Sequence, residues 1–360
     1  MGRDHPSMLT WLTSDMGSRP LGLSRIIVGG AAVIRSIVAW PVLTALTRPE
    51  ILRVPYADWV PTPSLPLVVA IVGVWFVSAL LFMVGWRVSL TGPALTLAIA
   101  TTLSLDQQTY SNHLYLMAWL VLLMTVADAG AGIAIGKPDR TIVRWPLLLI
   151  MLQLSLVYGF SAVTKLNATF LSGVTLARVL RDGVIPFPDA VRTPAILSVL
   201  AATVVFVELF IAVMLWRSRF RPAAFLFGLG LHASITLTMA STAQLFVFSM
   251  EMLALYPLFL STEVLAVTAP TDSPLRRRTR RVDLLRTVEF VGTSDTLVVT
   301  HQGRITRGSL AHTRILEHLV PWLWLAPLLR LPGIRHLHRL WCHASSGNPR
   351  RQAVSSRGLP

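Results

Sequence analysis

The sequence predicts an all-α polytopic membrane protein of about eight transmembrane helices, followed by a small basic α/β-like tail on the cytoplasmic side. Three observations predict it. Hydrophobic residues make up 53% of the chain and charged residues only 14%, with a mean hydropathy of +0.62, whereas soluble domains are roughly a quarter charged. Apolar runs recur at the length a bilayer demands, about 20 residues per crossing helix. The charge gathers at one end: residues 263–360 hold 15 Lys/Arg against 6 Asp/Glu, net +9 of the total +15.

The runs fall at about 22–46, 64–84, 87–105, 112–128, 145–164, 194–215, 222–240 and 242–262. Pro41, Pro93, Pro222 and Pro257 lie within them and mark possible kinks, which membrane bundles tolerate. Arginine placement orients the spans. With the N-terminus inside, Arg3, Arg19, Arg25, Arg87, Lys137, Arg140, Arg144, Arg217, Arg219, Arg221 and the basic run Arg276–Arg281 all fall in the cytoplasm, and so do both termini. The first 20 residues lack a compact apolar core with a small-residue cleavage site, so no signal peptide is expected.

One outer connection departs from the pattern. Residues 165–193 hold Lys165, Arg178, Arg181 and Arg192, positive charge on the disfavoured side, as an anion-binding loop would need. Phe170 to Leu180 is apolar almost all round at helical spacing and reads as a short helix tucked against the bundle, not a surface-lying amphipathic one. An extended segment with Pro186, Pro188 and Pro194 follows.

Tyr158, Ala162, Lys165, Leu166, Asn167, Phe170 and Gly173 follow the spacing Y-x3-A-x2-KL-[DN]-x2-W-x2-G, with Phe170 in place of the tryptophan. Asn112, His113, Leu114, Tyr115 and Leu116 read N-H-x-Y-L, and Glu208 precedes the pair Leu231-His232. Together these resemble the HTTM family, the membrane domain related to vitamin-K-dependent γ-carboxylase, over roughly residues 20–262. The resemblance implies that Lys165 is the base acting on a quinone or vitamin K hydroquinone, with His113 beside the reacting centre. Tyr158, Asn112, Tyr115, Arg178 and Arg181 are the candidate substrate-binding residues.

The residues themselves leave other readings open. A lysine at the end of an apolar run also snorkels to the interface, and a histidine there also anchors it. Asp106 joins His113, Asn112 and Tyr115 at the outer level where Lys165 falls, so these groups can share an outward mouth. Glu208, His232 and Glu251 form a deeper polar cluster, each roughly 12–17 Å from the inner boundary by residue counting. Ionisable groups at that depth usually pair, and a Glu208–His232 hydrogen bond would satisfy both as structural glue or as part of a proton or quinone site. Arg25 and Arg35 lie in the first run, Arg35 being the better internal partner for an acid.

Domain boundaries follow composition. Residues 1–262 read as the membrane domain, 263–282 as a basic linker, 283–345 as a remnant with a strand at Thr296–Thr300 and a helix from Ala311 to Leu319, and 346–360 as a disordered tail. The remnant resembles the second half of the DCC thiol-disulfide oxidoreductase domain, a thioredoxin-like unit, without its paired cysteines. Cys342 is the single cysteine, so no disulfide framework and no dithiol exchange is available. His336, His338, Cys342 and His343 lack a second ligand pair, and no metal centre is expected. The run 276–281 directly follows the last apolar segment, which suits anionic lipid headgroups and not nucleic acid.

No phosphate loop, nucleophile elbow or zinc-protease helix occurs. The expectation is a multi-pass protein of a bacterial plasma membrane, given 30 arginines to 2 lysines. Its functional reading is a carboxylase-like or quinone-dependent enzyme with an outward site. The alternative is a non-enzymatic protein assisting maturation or export of a secreted peptide.

Overall fold

The computed structural model describes residues 7–183, 188–239, 242–260, 263–271, 273–294, 296–301 and 303–346. Pro186 and almost all of the expected disordered tail lie outside them, and so does the His343 side chain. The chain divides into two units, Met1–Arg217 with Phe227–Leu260, and Ser218–Leu226 with Ser261–Pro360.

The first unit is helical. A single turn, α1 (Met8–Leu12), and a strand, β1 (Asp15–Gly17), lead into α2 (Arg19–Ala45), α3 (Leu65–Val84), α4 (Val88–Leu105) and α5 (Asn112–Val126). Strand β2 (Thr141–Val143) pairs antiparallel with β1, and α6 (Arg144–Lys165), α7 (Ala168–Leu171), α8 (Val174–Asp182), α9 (Pro194–Met214), α10 (Arg221–Thr238, of which this unit holds the part from Phe227) and α11 (Thr242–Ala254) follow. Prolines open α2, α3 and α9 where no amide partner is needed. Gly85, at φ +81°, closes α3 in the left-handed conformation. Pro41 and Pro93 sit inside helices, whereas Pro222 lies in the first turn of α10 and Pro257 in the 3₁₀ turn after α11.

Each of the eight apolar runs contains a helix among the described residues. Among the described residues five helices, α2, α3, α4, α6 and α9, are long and apolar enough to cross a membrane. Leu97, Phe160, Val199 and Phe206 stand more than 60% exposed on them, a surface that water penalises and hydrocarbon does not. Buried faces pack in sequence, α2 on α3, α3 on α4 and α4 on α5, while α11 returns to α2 and α6 lies along α9. Trp75, Phe82 and Leu95 are fully buried at the centre of the first group.

Two polar devices fasten the loops. Arg25, fully buried, donates from Nη1 to the carbonyls of Ala129 (2.7 Å) and Gly132 (3.2 Å) and from Nη2 to that of Ile133 (2.7 Å). Asp106 accepts from the amides of Val54 (2.8 Å) and Gln108 (2.9 Å), with Arg53 3.8 Å away. Both are thereby engaged in holding connections together.

The segment expected as one short outer helix is instead two, because Gly173, at φ +81°, divides it. A Cβ at that position would overlap Leu197, so the glycine also allows the chain to approach α9. Once divided, α8 is amphipathic: Arg178, Arg181 and Asp182 are exposed while Leu176, Val179 and Leu180 are half-buried.

In the second unit, β3 (Leu265–Thr268) lies parallel to β4 (Val288–Gly292), with α12 (Pro274–Val282) as crossover. Strand β5 (Val298–His301) pairs antiparallel with β3 and with β6 (Arg304–Arg307), giving the order β4-β3-β5-β6, and α13 (Gly308–Leu316) and α14 (Pro332–Ser346) complete the unit. The stretch 263–282 is therefore not a linker. It contributes the strand bonded on both sides, whose Leu265 and Val267 are fully buried against Val299, Ala311 and Ile315.

His318 is buried in this unit, 5.7 Å from the His301 ring, with Nδ1 3.0 Å from the Arg314 carbonyl. Burial, opposed by the hydrogen bond to the Arg314 carbonyl and aided by the Arg314 and His301 charges, pulls its pKa down to about 4. The unfolded imidazole titrates near 6.5, so the folded state binds fewer protons between the two values. Its stability is complete above about 6.5 and falls as pH drops toward 4. Acidification from pH 7 to pH 5 is expected to cost this unit about 2 kcal/mol through His318. Thermal scans monitored by tryptophan fluorescence should show the loss, and His318→Gln should flatten the slope; an unchanged slope refutes this assignment.

Candidate functional site

Helix α6 carries Tyr158, Ser161, Ala162 and Lys165 at i, i+3, i+4 and i+7, so all four share one face. Ala162 is fully buried and packs with Ala201 and Val205. Small residues there let α9 come close enough for charged side chains to meet across the gap.

Lys165 ends α6. Its Nζ donates to both Glu208 oxygens, at 2.8 and 2.9 Å, to the Ser161 carbonyl at 3.2 Å and to the Ser161 hydroxyl. The Ser161 hydroxyl in turn donates to Glu208 Oε1 at 2.9 Å. The Phe170 ring lies 5.9 Å from the ammonium. The lysine side chain is 26% exposed and the glutamate 7%, so the amine can meet a ligand that the carboxylate cannot.

Two turns earlier, the Tyr158 hydroxyl lies 2.7 Å from His232 Nε2 and 2.8 Å from the Tyr256 hydroxyl. His232 Nδ1 is 3.3 Å from the Ser249 hydroxyl, itself 3.1 Å from that of Thr236. Gly228 makes room for Tyr256, since a Cβ there would overlap the phenol oxygen. The predicted Glu208–His232 hydrogen bond is therefore replaced. Glu208 takes the stronger cationic partner, Lys165, and His232 takes two hydroxyl neighbours.

The His113 ring stacks on Phe248, centroids 4.2 Å apart, and Phe248 meets His232 edge-on at 5.7 Å. His113 thus joins the Tyr158 network through a ring; among the described residues no hydrogen bond or ring contact links it to Lys165. Arg35 interacts electrostatically with Glu251 and with His113. Glu251 is buried, and its Oε2 has no hydrogen-bond partner among the described residues.

Asn112 and Tyr115 lie on the exposed side of α5, and Tyr115 is 57% exposed. Arg178 and Arg181 stand on the exposed face of α8, with Arg181 paired to Asp182 at 2.9 Å. Asp106 is occupied by backbone amides, as described above.

The helices are staggered. Trp216 Nε1 donates to Ser155 (2.7 Å), so α9 runs antiparallel to α6 with Lys165 level with Glu208. Glu208 lies 14 residues into α9, about 21 Å along its axis at 1.5 Å per residue. Segments α7 and α8 pack beside the earlier part of α9.

A family model described as the HTTM domain matches residues 15–263, well over half of the chain. The chain belongs to the HTTM family. No curated protein and no solved structure matches it. The HTTM match covers Lys165, Glu208, His232 and His113 together.

Several site residues were not singled out in the sequence. Ser161 was detectable, being one turn before Lys165 on its own face. Tyr256, Ser249 and Phe248 were not, because nothing in a run of apolar residues marks which aromatic or hydroxyl turns toward a distant helix.

Proposed function

We propose that this HTTM protein is a multi-pass membrane enzyme, quinone-dependent or carboxylase-like, in which Lys165 removes a proton from a hydroxyl of an amphipathic aromatic substrate. The observation that carries the reading is the Lys165–Glu208–Ser161 cluster, in which a partly exposed amine is held against a buried carboxylate.

In the base role the amine, held in position by Glu208, presents its lone pair to an approaching hydroxyl. Taking the substrate proton then creates an ammonium beside the new anion, a charge that stabilises it. Ser161 fixes the amine in place, and the Tyr158–His232–Tyr256 row offers exchangeable protons behind it. His113, stacked on Phe248, supplies an aromatic face within the same network.

The donor set suits a reduced quinone: one amine, several hydroxyls and the rings of Phe170, Phe248 and Tyr158. Bound there, a quinol would supply reducing equivalents for reaction with oxygen. The exposed arginines of α12, Arg277, Arg278, Arg280 and Arg281, support contact with anionic headgroups. This reading keeps both termini cytoplasmic.

The test is oxygen consumption by the purified protein in nanodiscs supplied with vitamin K hydroquinone or a short-chain menaquinol. Wild type should turn over, and Lys165→Met should lose at least about 100-fold, the usual contribution of a positioned acid–base group. Equal rates for the two, or no turnover with any quinol, would sink the proposal.

A further inference from the structure

The second unit brings three soft donor atoms together. His338 and Cys342 stand one turn apart on the same face of α14, and His312 reaches them from α13. His312 Nδ1 lies 3.0 Å from His338 Nε2, and Cys342 Sγ lies 3.4 Å from the same nitrogen. All three donor atoms fall within 4.8 Å of one another.

Those separations can be compared with a metal's requirements. A tetrahedral zinc ion binds nitrogen at about 2.0–2.1 Å and sulfur at about 2.3 Å, which sets ligand edges of about 3.3 Å for N–N and about 3.6 Å for N–S. Two of the three edges are already near those lengths. The third needs a contraction of about 1 Å at most, within reach of small side-chain rotations.

The surroundings suit an ion as well. Trp341 packs on both histidines, with centroids 5.5 Å from His312 and 6.2 Å from His338. His338 also borders a cavity of about 420 Å³ lined by Arg304, Arg314, Arg330 and Arg335. Arg335 Nε is buried and has no hydrogen-bond partner among the described residues. His336, the other tail histidine described, is exposed, so the ligand set differs from the one the tail sequence suggests.

We propose that His312, His338 and Cys342 bind one zinc-class divalent ion, with a fourth coordination position open toward the arginine-lined cavity and suited to a small anion. Three protein ligands and one exchangeable position are the arrangement that lets a bound ion take an exogenous ligand. The cavity's guanidinium groups supply the complementary charge.

The test uses the full-length protein purified in detergent, stripped with chelator and titrated with cobalt(II) and zinc(II). Wild type should bind one ion beyond any bound by a His312→Ala/Cys342→Ser double variant. Its cobalt form should show intense tetrahedral d–d bands and a thiolate-to-cobalt charge-transfer band. Cys342→Ser should lose the charge-transfer band, and His312→Ala should weaken binding at least 10-fold. Zinc should raise the melting temperature of wild type and not that of the double variant, by mass action. Unchanged melting temperatures of the metal-free variants would establish that they fold. Equal stoichiometry in wild type and the double variant, or cobalt spectra without the thiolate band, would overturn the site.

Discussion

Lys165→Met is expected to destabilise the folded protein by about 3–5 kcal/mol, and Glu208→Gln by clearly less. The asymmetry follows from exposure. Removing the lysine leaves a carboxylate, 7% exposed, whose remaining hydrogen-bond partner among the described residues is the Ser161 hydroxyl. Removing the acid leaves an ammonium that is 26% exposed, still bonded to Ser161 and long enough to reach a wetter level. An apolar pair, Lys165→Met with Glu208→Leu, should recover most of the loss, because a buried ion pair is often replaceable by well-packed hydrocarbon. Unfolding in mixed micelles compares the stabilities of all four proteins. Equal losses in the two single variants would contradict this account, and so would a double variant as unstable as Lys165→Met.

Arg25→Met should cost about 3–5 kcal/mol, since two buried carbonyls and one part-buried carbonyl lose a charged donor at once. The connection they belong to is also strained: Asp128 (φ +54°) and Ile133 (φ +50°) occupy the left-handed region without being glycine. The guanidinium fork holds that conformation, and Arg25→Lys should rescue little of it, because one ammonium cannot reach the same carbonyls as a planar fork. Faster tryptic cleavage after Arg140 would report the released segment. A cleavage rate equal to wild type would show that the fork is not what holds it.

The helices were legible in the sequence because twenty apolar residues in a row have few alternatives. What escaped was their relative height. Counting residues from the ends of each run put Lys165 at an outer rim and Glu208 in the interior, as if all helices began and ended together. The Trp216–Ser155 and Lys165–Glu208 contacts show α6 and α9 offset instead, and no property of one run alone encodes an offset between two. Gly173 hid in a stretch whose composition reads as one helix, since its positive φ is a response to the nearby Leu197 backbone. Strand β3 was overlooked because four residues, Leu265–Thr268, are too few for alternation to stand out, and its identity as a strand comes from its two neighbours.

The buried arginines of α2 bear on how the chain is made. A ribosome delivers Arg25 and Arg35 to the membrane long before Ala129, Ile133 or Glu251 exists. An arginine near the middle of an isolated helix raises its insertion cost by about 2.5–3.5 kcal/mol. A helix that carries both charges is therefore expected to settle in the bilayer only once the loop after α5, and then α11, arrive to receive them.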